Sequence, residues 1–126
     1  MKVISFLNFK GGVGKTTSAH SIAAGLKMKG KKVLVIDMDP QGTLTFFSKG
    51  ERELNGDTRE ILFHEKTIGE AITNGEEFDF IGSNIKLATS ELLLNNGYNK
   101  EQKLKKAIDK MAKDYVYDFI LIDCPP

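Results

Sequence analysis

The residues able to do chemistry sit in three short stretches. The first is Lys10-Gly11-Gly12-Val13-Gly14-Lys15-Thr16-Thr17, which follows an apolar run and leads directly into a helical pattern. Glycines between a strand and a helix amino terminus let backbone N–H groups turn inward without Cβ clashes, and the helix dipole adds positive potential. Such a loop holds phosphate oxygens. Gly11, Gly12, Val13, Gly14, Lys15, Thr16 and Thr17 would form the cradle, with Lys15 reaching the β and γ phosphates and the Thr16 hydroxyl ligating Mg²⁺. Without ligand, the Lys15 side chain is expected to reach into solvent. Two familiar patterns do not fit: Phe9 stands where the common phosphate loop has its first glycine, and Thr17 where a dinucleotide loop has its third. A chance Gly-rich turn is the bland alternative, and the flanking strand and helix patterns weigh against it.

The other two stretches carry aspartates. Val33–Ile36 is followed by Asp37-Met38-Asp39-Pro40-Gln41-Gly42, and Phe119–Ile122 by Asp123-Cys124-Pro125-Pro126. Carboxylates at the carboxyl end of a parallel strand lie where open α/β sheets bind ligands. Alternation along a strand would put Asp37 and Asp39 on one side. Asp123 after four apolar residues has the Walker B arrangement, in which the carboxylate holds Mg²⁺ directly or through water. Cys124 reads as a buried small residue rather than a nucleophile. His20 and His64 have no metal-ligand spacing.

Strands and helices must position these groups. Val3–Phe9, Val33–Ile36, Phe78–Ile81 and Phe119–Ile122 are apolar without strict alternation, which predicts strands covered on both faces, as in a parallel sheet between helices. Ala19, Ile22, Ala23 and Leu26 predict an amphipathic helix over 15–29 that stops at Gly30. Gly25 inside it predicts a close packing contact. Leu104, Ala107, Ile108 and Met111 predict a helix within 101–114. Ile61–Phe63 and Ile68–Ile72 read as short helical pieces between polar turns. A β-α-β order with parallel strands follows.

Composition bounds the rest. The 126 residues allow one domain, 1–126, with a net charge of +1. That balance argues against a dedicated basic nucleic-acid arm or acidic tail. The charge is uneven, with excess lysine over 1–50 and excess acid over 51–79, as solvated faces of different elements can be. A lone cysteine excludes an internal disulfide framework and suits a reducing cytosol, and no apolar stretch approaches a membrane span. The expected localisation is cytoplasmic.

Lys10 through Thr17 resembles the deviant Walker A motif of the ParA/MinD ATPases, Lys-Gly-Gly-x-Gly-Lys-Thr-Thr, over all eight positions. Asp37 through Gly42 resembles the ParA branch's Asp-x-Asp-Pro-Gln-Gly, with Thr43 where Asn usually follows, and Asp123 through Pro126 is similar to its Asp-x-Pro-Pro. Residues 80–88 look like the segment after the family's third strand. The resemblance implies a P-loop NTPase-like, mostly parallel α/β sheet flanked by helices, with the phosphate-loop strand beside the Walker B strand. It implies the amino-terminal half of such an ATPase, a partial nucleotide-binding domain truncated after that strand. It further implies ATP and Mg²⁺ as ligands, an ATP-dependent homodimer in which Lys10 contacts the partner's nucleotide, and catalytic roles for Lys10, Lys15 and Asp39. Asp39 would position or activate the attacking water. Metal ligation would fall to Thr16, Asp37 and Asp123, with Asp37 nearer the metal than Asp39. A ParB-type partner and nonspecific DNA, bound through the missing half, would place the activity in plasmid or chromosome partition. A MinD-like cell-division ATPase and a noncatalytic regulatory fragment are the alternatives.

Overall fold

The computed structural model describes residues 1–7, 14–93 and 99–126. Along the chain run β1 (Lys2–Phe6), α1 (Lys15–Met28), β2 (Val33–Asp37), α2 (Thr43–Lys49), α3 (Thr58–Leu62), α4 (Ile68–Ala71), β3 (Thr73–Asn74), β4 (Asp79–Ile81), α5 (Lys86–Leu93), α6 (Lys100–Met111) and β5 (Phe119–Asp123). The strands form one sheet in the order β1-β5-β2-β4-β3, parallel throughout except for the antiparallel β3–β4 pair.

Every residue of β2 is buried. Its alternation sends Leu34 and Ile36 into one core, with Ile120 and Ile122 of β5, and Val33 and Val35 into the other, with Leu121 and Phe80. The first core is closed by α3, α4 and α6 through Ile61, Leu62, Ile68, Leu104, Ile108 and Met111. The second is closed by α1 and α2 through Ala19, Ala23 and Leu44. Covering both faces is why β2 and β5 carry continuous apolar runs.

The expected strands and helices form, with differences at their margins. β1 stops at Phe6; residues 8 and 9 lie outside the described residues. It is the sheet's margin, paired only to β5 among the described strands, with Val3 47% and Ile4 39% exposed. In α1, Ala19 and Ala23 are buried but Ile22 is 44% exposed, so the buried stripe is narrower than the periodicity implies. The close contact expected at Gly25 does not form among the described residues: a Cβ there would meet none of them within 4 Å. The chain leaves α1 through Gly30, whose φ of +76° lets its N–H reach the Lys27 carbonyl.

Three elements were not anticipated: α2, α5 and the two-residue β3. The short helices α3 and α4 each begin with a reciprocal capping box, Asp57 with Glu60 and Thr67 with Glu70. These boxes satisfy amides that helices of this length could not otherwise hold together.

Candidate functional site

β2 and β5 run in register, so Asp37 and Asp123 face each other across the sheet at its carboxyl end. Asp123 is fully buried, and α1 brings two side chains to it. Lys15 Nζ lies 2.6 Å from Asp123 Oδ1, and the Thr16 hydroxyl donates to Oδ2 at 2.8 Å. The Lys15 side chain is only 10% exposed. This corrects the expectation that it reaches into solvent: a fully buried carboxylate needs a countercharge, and the nearest ammonium supplies one.

Gly14 starts α1 with φ +81°, a conformation suited to glycine, and no side chain caps the helix. Lys10, Gly11, Gly12 and Val13 lie outside the described residues. Lys15, Thr16, Gly14 and Thr17 thus stand at the helix end beside Asp123. Mg²⁺ takes oxygen donors at anionic sites. Asp123 and Thr16 provide such donors side by side, in a spot already occupied by positive charge, so the residues present fit the ion.

Asp37 sits differently. It is fully buried, and its carboxylate accepts three hydrogen bonds, from Asp39 N–H to Oδ1 and from Thr45 N–H and hydroxyl to Oδ2. Asp39 lies beyond the end of β2, so strand alternation does not place it with Asp37. It is half-buried, and its Oδ1 accepts the Gln41 N–H at 3.0 Å. Thr43 is exposed at the start of α2.

An AAA domain family profile matches residues 1–126. The chain belongs to that family, in its ParA-type branch. It is 39% identical over 132 residues to the chromosome-partitioning ATPase Soj of Treponema pallidum, covering 99% of this chain and 49% of that protein. The structure resembles cobyrinic acid a,c-diamide synthase from Mycobacterium smegmatis with bound ATP analogue and magnesium, with a TM-score of 0.88 and 36% identity, over 100% of this chain and 52% of that one. It also resembles a plasmid partition protein from Borrelia burgdorferi bound to AMPPNP, with a TM-score of 0.80 and 36% identity, over 99% of this chain and 54% of that one. The chain spans about half the length of the curated relatives it matches.

Other groups of this ParA-type chain take ordinary structural places. Burial pushes the Cys124 thiol above its usual range. His20 packs edge-to-face on Phe78 at 5.2 Å, and His64 is exposed. Among the described residues no three or more His, Cys, Asp or Glu side chains gather into a metal site of their own, and no helix is long and apolar enough to cross a membrane. The sequence reading missed Thr45 and Thr58, which bind the Asp37 carboxylate and carbonyl.

Burial raises the Asp37 carboxyl from 3.8 to about 6, against the pull of hydrogen bonds from Thr45 and Asp39 and with a smaller push from Asp123. Between pH 4 and 6 the folded state therefore keeps a proton that the unfolded chain gives up. Stability falls as pH rises through that window and levels off above it, by about 3 kcal/mol for this group. Urea unfolding of the wild type and Asp37→Asn, without Mg²⁺ or nucleotide, isolates the effect. The difference between the two curves is expected to change across pH 4–6; a flat difference would mean that Asp37 ionises normally.

Proposed function

We propose that this chain is the nucleotide-binding part of an ATP- and Mg²⁺-dependent, dimerising ATPase acting in plasmid or chromosome partition. The observation that carries the reading is the Lys15–Asp123–Thr16 cluster, where the amino end of α1 meets the carboxyl end of β5. ATP would lie with its phosphates against the loop amides of Gly11, Gly12, Val13 and Gly14 and the first turn of α1. Lys15 would turn from Asp123 to the β and γ phosphates, where its charge offsets negative charge developing in the transition state. Asp123 and Thr16 would hold Mg²⁺, with Asp37 behind them. When bound, the metal neutralises charge on the phosphate oxygens. Asp39 would orient the attacking water, and Lys10 would contact nucleotide held by the partner.

ParB-type stimulation and nonspecific DNA binding are proposed from the resemblance, as is a cytoplasmic location. The Asp39-Pro40-Gln41-Gly42 run supports partition over a MinD-like role. Phosphate release from ATP by the full-length protein tests the reading. Turnover is expected with Mg²⁺, to rise with DNA and the cognate partner, and to vanish with a chelator. No turnover under any of these conditions would remove the ATPase assignment.

A further inference from the structure

Thr45 lies outside the Lys15–Asp123 cluster, yet it ties the Asp37 side chain to the Ser83 backbone. Its hydroxyl donates to Asp37 Oδ2 at 2.6 Å and accepts the Ser83 N–H at 2.9 Å, while its own N–H donates to the same Oδ2 at 3.0 Å. The side chain is buried, and its methyl lies against Gly82, where an added Cβ would come within 2.8 Å of Cγ2. Gly42, at φ +64°, leaves the same site no more room: a Cβ there would sit 3.1 Å from the Ser83 carbonyl oxygen. Thr58, fully buried, reinforces the junction with a hydroxyl 2.6 Å from the Asp37 carbonyl and 3.0 Å from that of Gly82.

The ends of β2 and β4 and the start of α2 are thus tied through one hydroxyl, and Asp37 passes the constraint on. Its Oδ2 is held by Thr45, while its Oδ1 accepts the Asp39 N–H at 3.0 Å. We infer that Thr45 is a positioning residue for ATP hydrolysis, fixing Asp39 by locking the Asp37 carboxylate between α2 and the end of β4. This rests on the ATPase reading above. A hydroxyl is needed because one atom must donate to a carboxylate and accept from an amide. A methyl is needed to fill the space over Gly82. Threonine alone among the common side chains of that size supplies both.

The test uses the full-length protein. Thr45→Val keeps the shape and removes both hydroxyl bonds; Thr45→Ser keeps the bonds and removes the methyl. Thr45→Val is expected to lower kcat roughly 10- to 100-fold, the cost of a misplaced catalytic group. Its KM for ATP is expected to change little, because Thr45 bonds none of Lys15, Thr16 and Asp123. Thr45→Ser is expected to restore most of the rate. In an Asp39→Asn background, Thr45→Val is expected to cost almost nothing further, which a merely structural role would not produce. Amide exchange at Asp39 and Ser83 is expected to quicken in Thr45→Val and to stay slow in Thr45→Ser. Wild-type kcat in Thr45→Val, or an undiminished loss in the Asp39→Asn background, would overturn the inference. If Thr45→Val does not fold, Thr45→Ala, which adds no bulk, carries the same comparisons. If the wild type hydrolyses no ATP, the ATPase reading fails, and the positioning role in hydrolysis falls with it; the exchange comparison then decides the clamp alone, unchanged protection overturning it.

Discussion

Lys15→Ala is expected to destabilise the ATP-free protein by about 3 kcal/mol, besides abolishing tight nucleotide binding. The side chain reaches a buried carboxylate rather than solvent, with Nζ 2.6 Å from Asp123 Oδ1. Removing it leaves Asp123 buried with, among the described residues, the Thr16 hydroxyl for compensation. Breaking a buried pair from one side costs more than the pair itself contributes, because the remaining charge stays desolvated. Mg²⁺ is expected to recover part of the lost stability in the variant, since Asp123 and Thr16 offer it oxygen donors. Denaturant unfolding with and without Mg²⁺, alongside calorimetric titration with ATP, checks both effects. Wild-type stability without Mg²⁺ would mean that the ion pair does not hold Asp123 in place. Wild-type affinity for ATP would remove Lys15 from the nucleotide site.

The second large effect is a split between assembly and turnover. Asp39→Ala is expected to trap an ATP-bound dimer with kcat reduced at least about 100-fold. Its stability is expected to change little, because the Asp39 carboxylate is half-buried beyond the end of β2 and its recorded bond is a local one to Gln41 N–H. The loss would then be chemical rather than structural. Lys10→Ala is expected to do the reverse, binding ATP as a monomer without forming the dimer. Sedimentation velocity with and without ATP separates the two. A Lys10→Ala protein that dimerises like the wild type would rule out a contact across the interface.

Much of the site was legible because its signals are local. The glycines and Lys15-Thr16 between an apolar run and a helical pattern, and Asp123 at the end of Phe119–Ile122, mark positions that a parallel sheet brings to one edge. The strands were legible for the same reason, since β2 and β5 are covered on both faces and are apolar up to their terminal aspartates. The helices α3 and α4 carried a signal that could have set their boundaries, the Asp57-x-x-Glu60 and Thr67-x-x-Glu70 boxes. By contrast α2 depends on its place: Leu44 and Thr45 are buried while Phe46 and Phe47 are 72% and 67% exposed. No periodicity announces a seven-residue helix of that kind.

What the sequence by itself determined is which groups are available and at which strand or helix ends they stand, because motif spacing and apolar runs are properties of neighbouring residues. Only the tertiary structure decided what each group faces. Lys15 turns onto Asp123, which lies 108 positions away in the chain, and Thr45 binds Ser83, which lies 38 away. Asp37 and Asp39 end two residues apart but in different surroundings, one sealed by Thr45 and the other half open. The physical reason is burial: an ionised or polar group removed from water must find a partner, and packing of the sheet, not sequence distance, sets which partner is within reach.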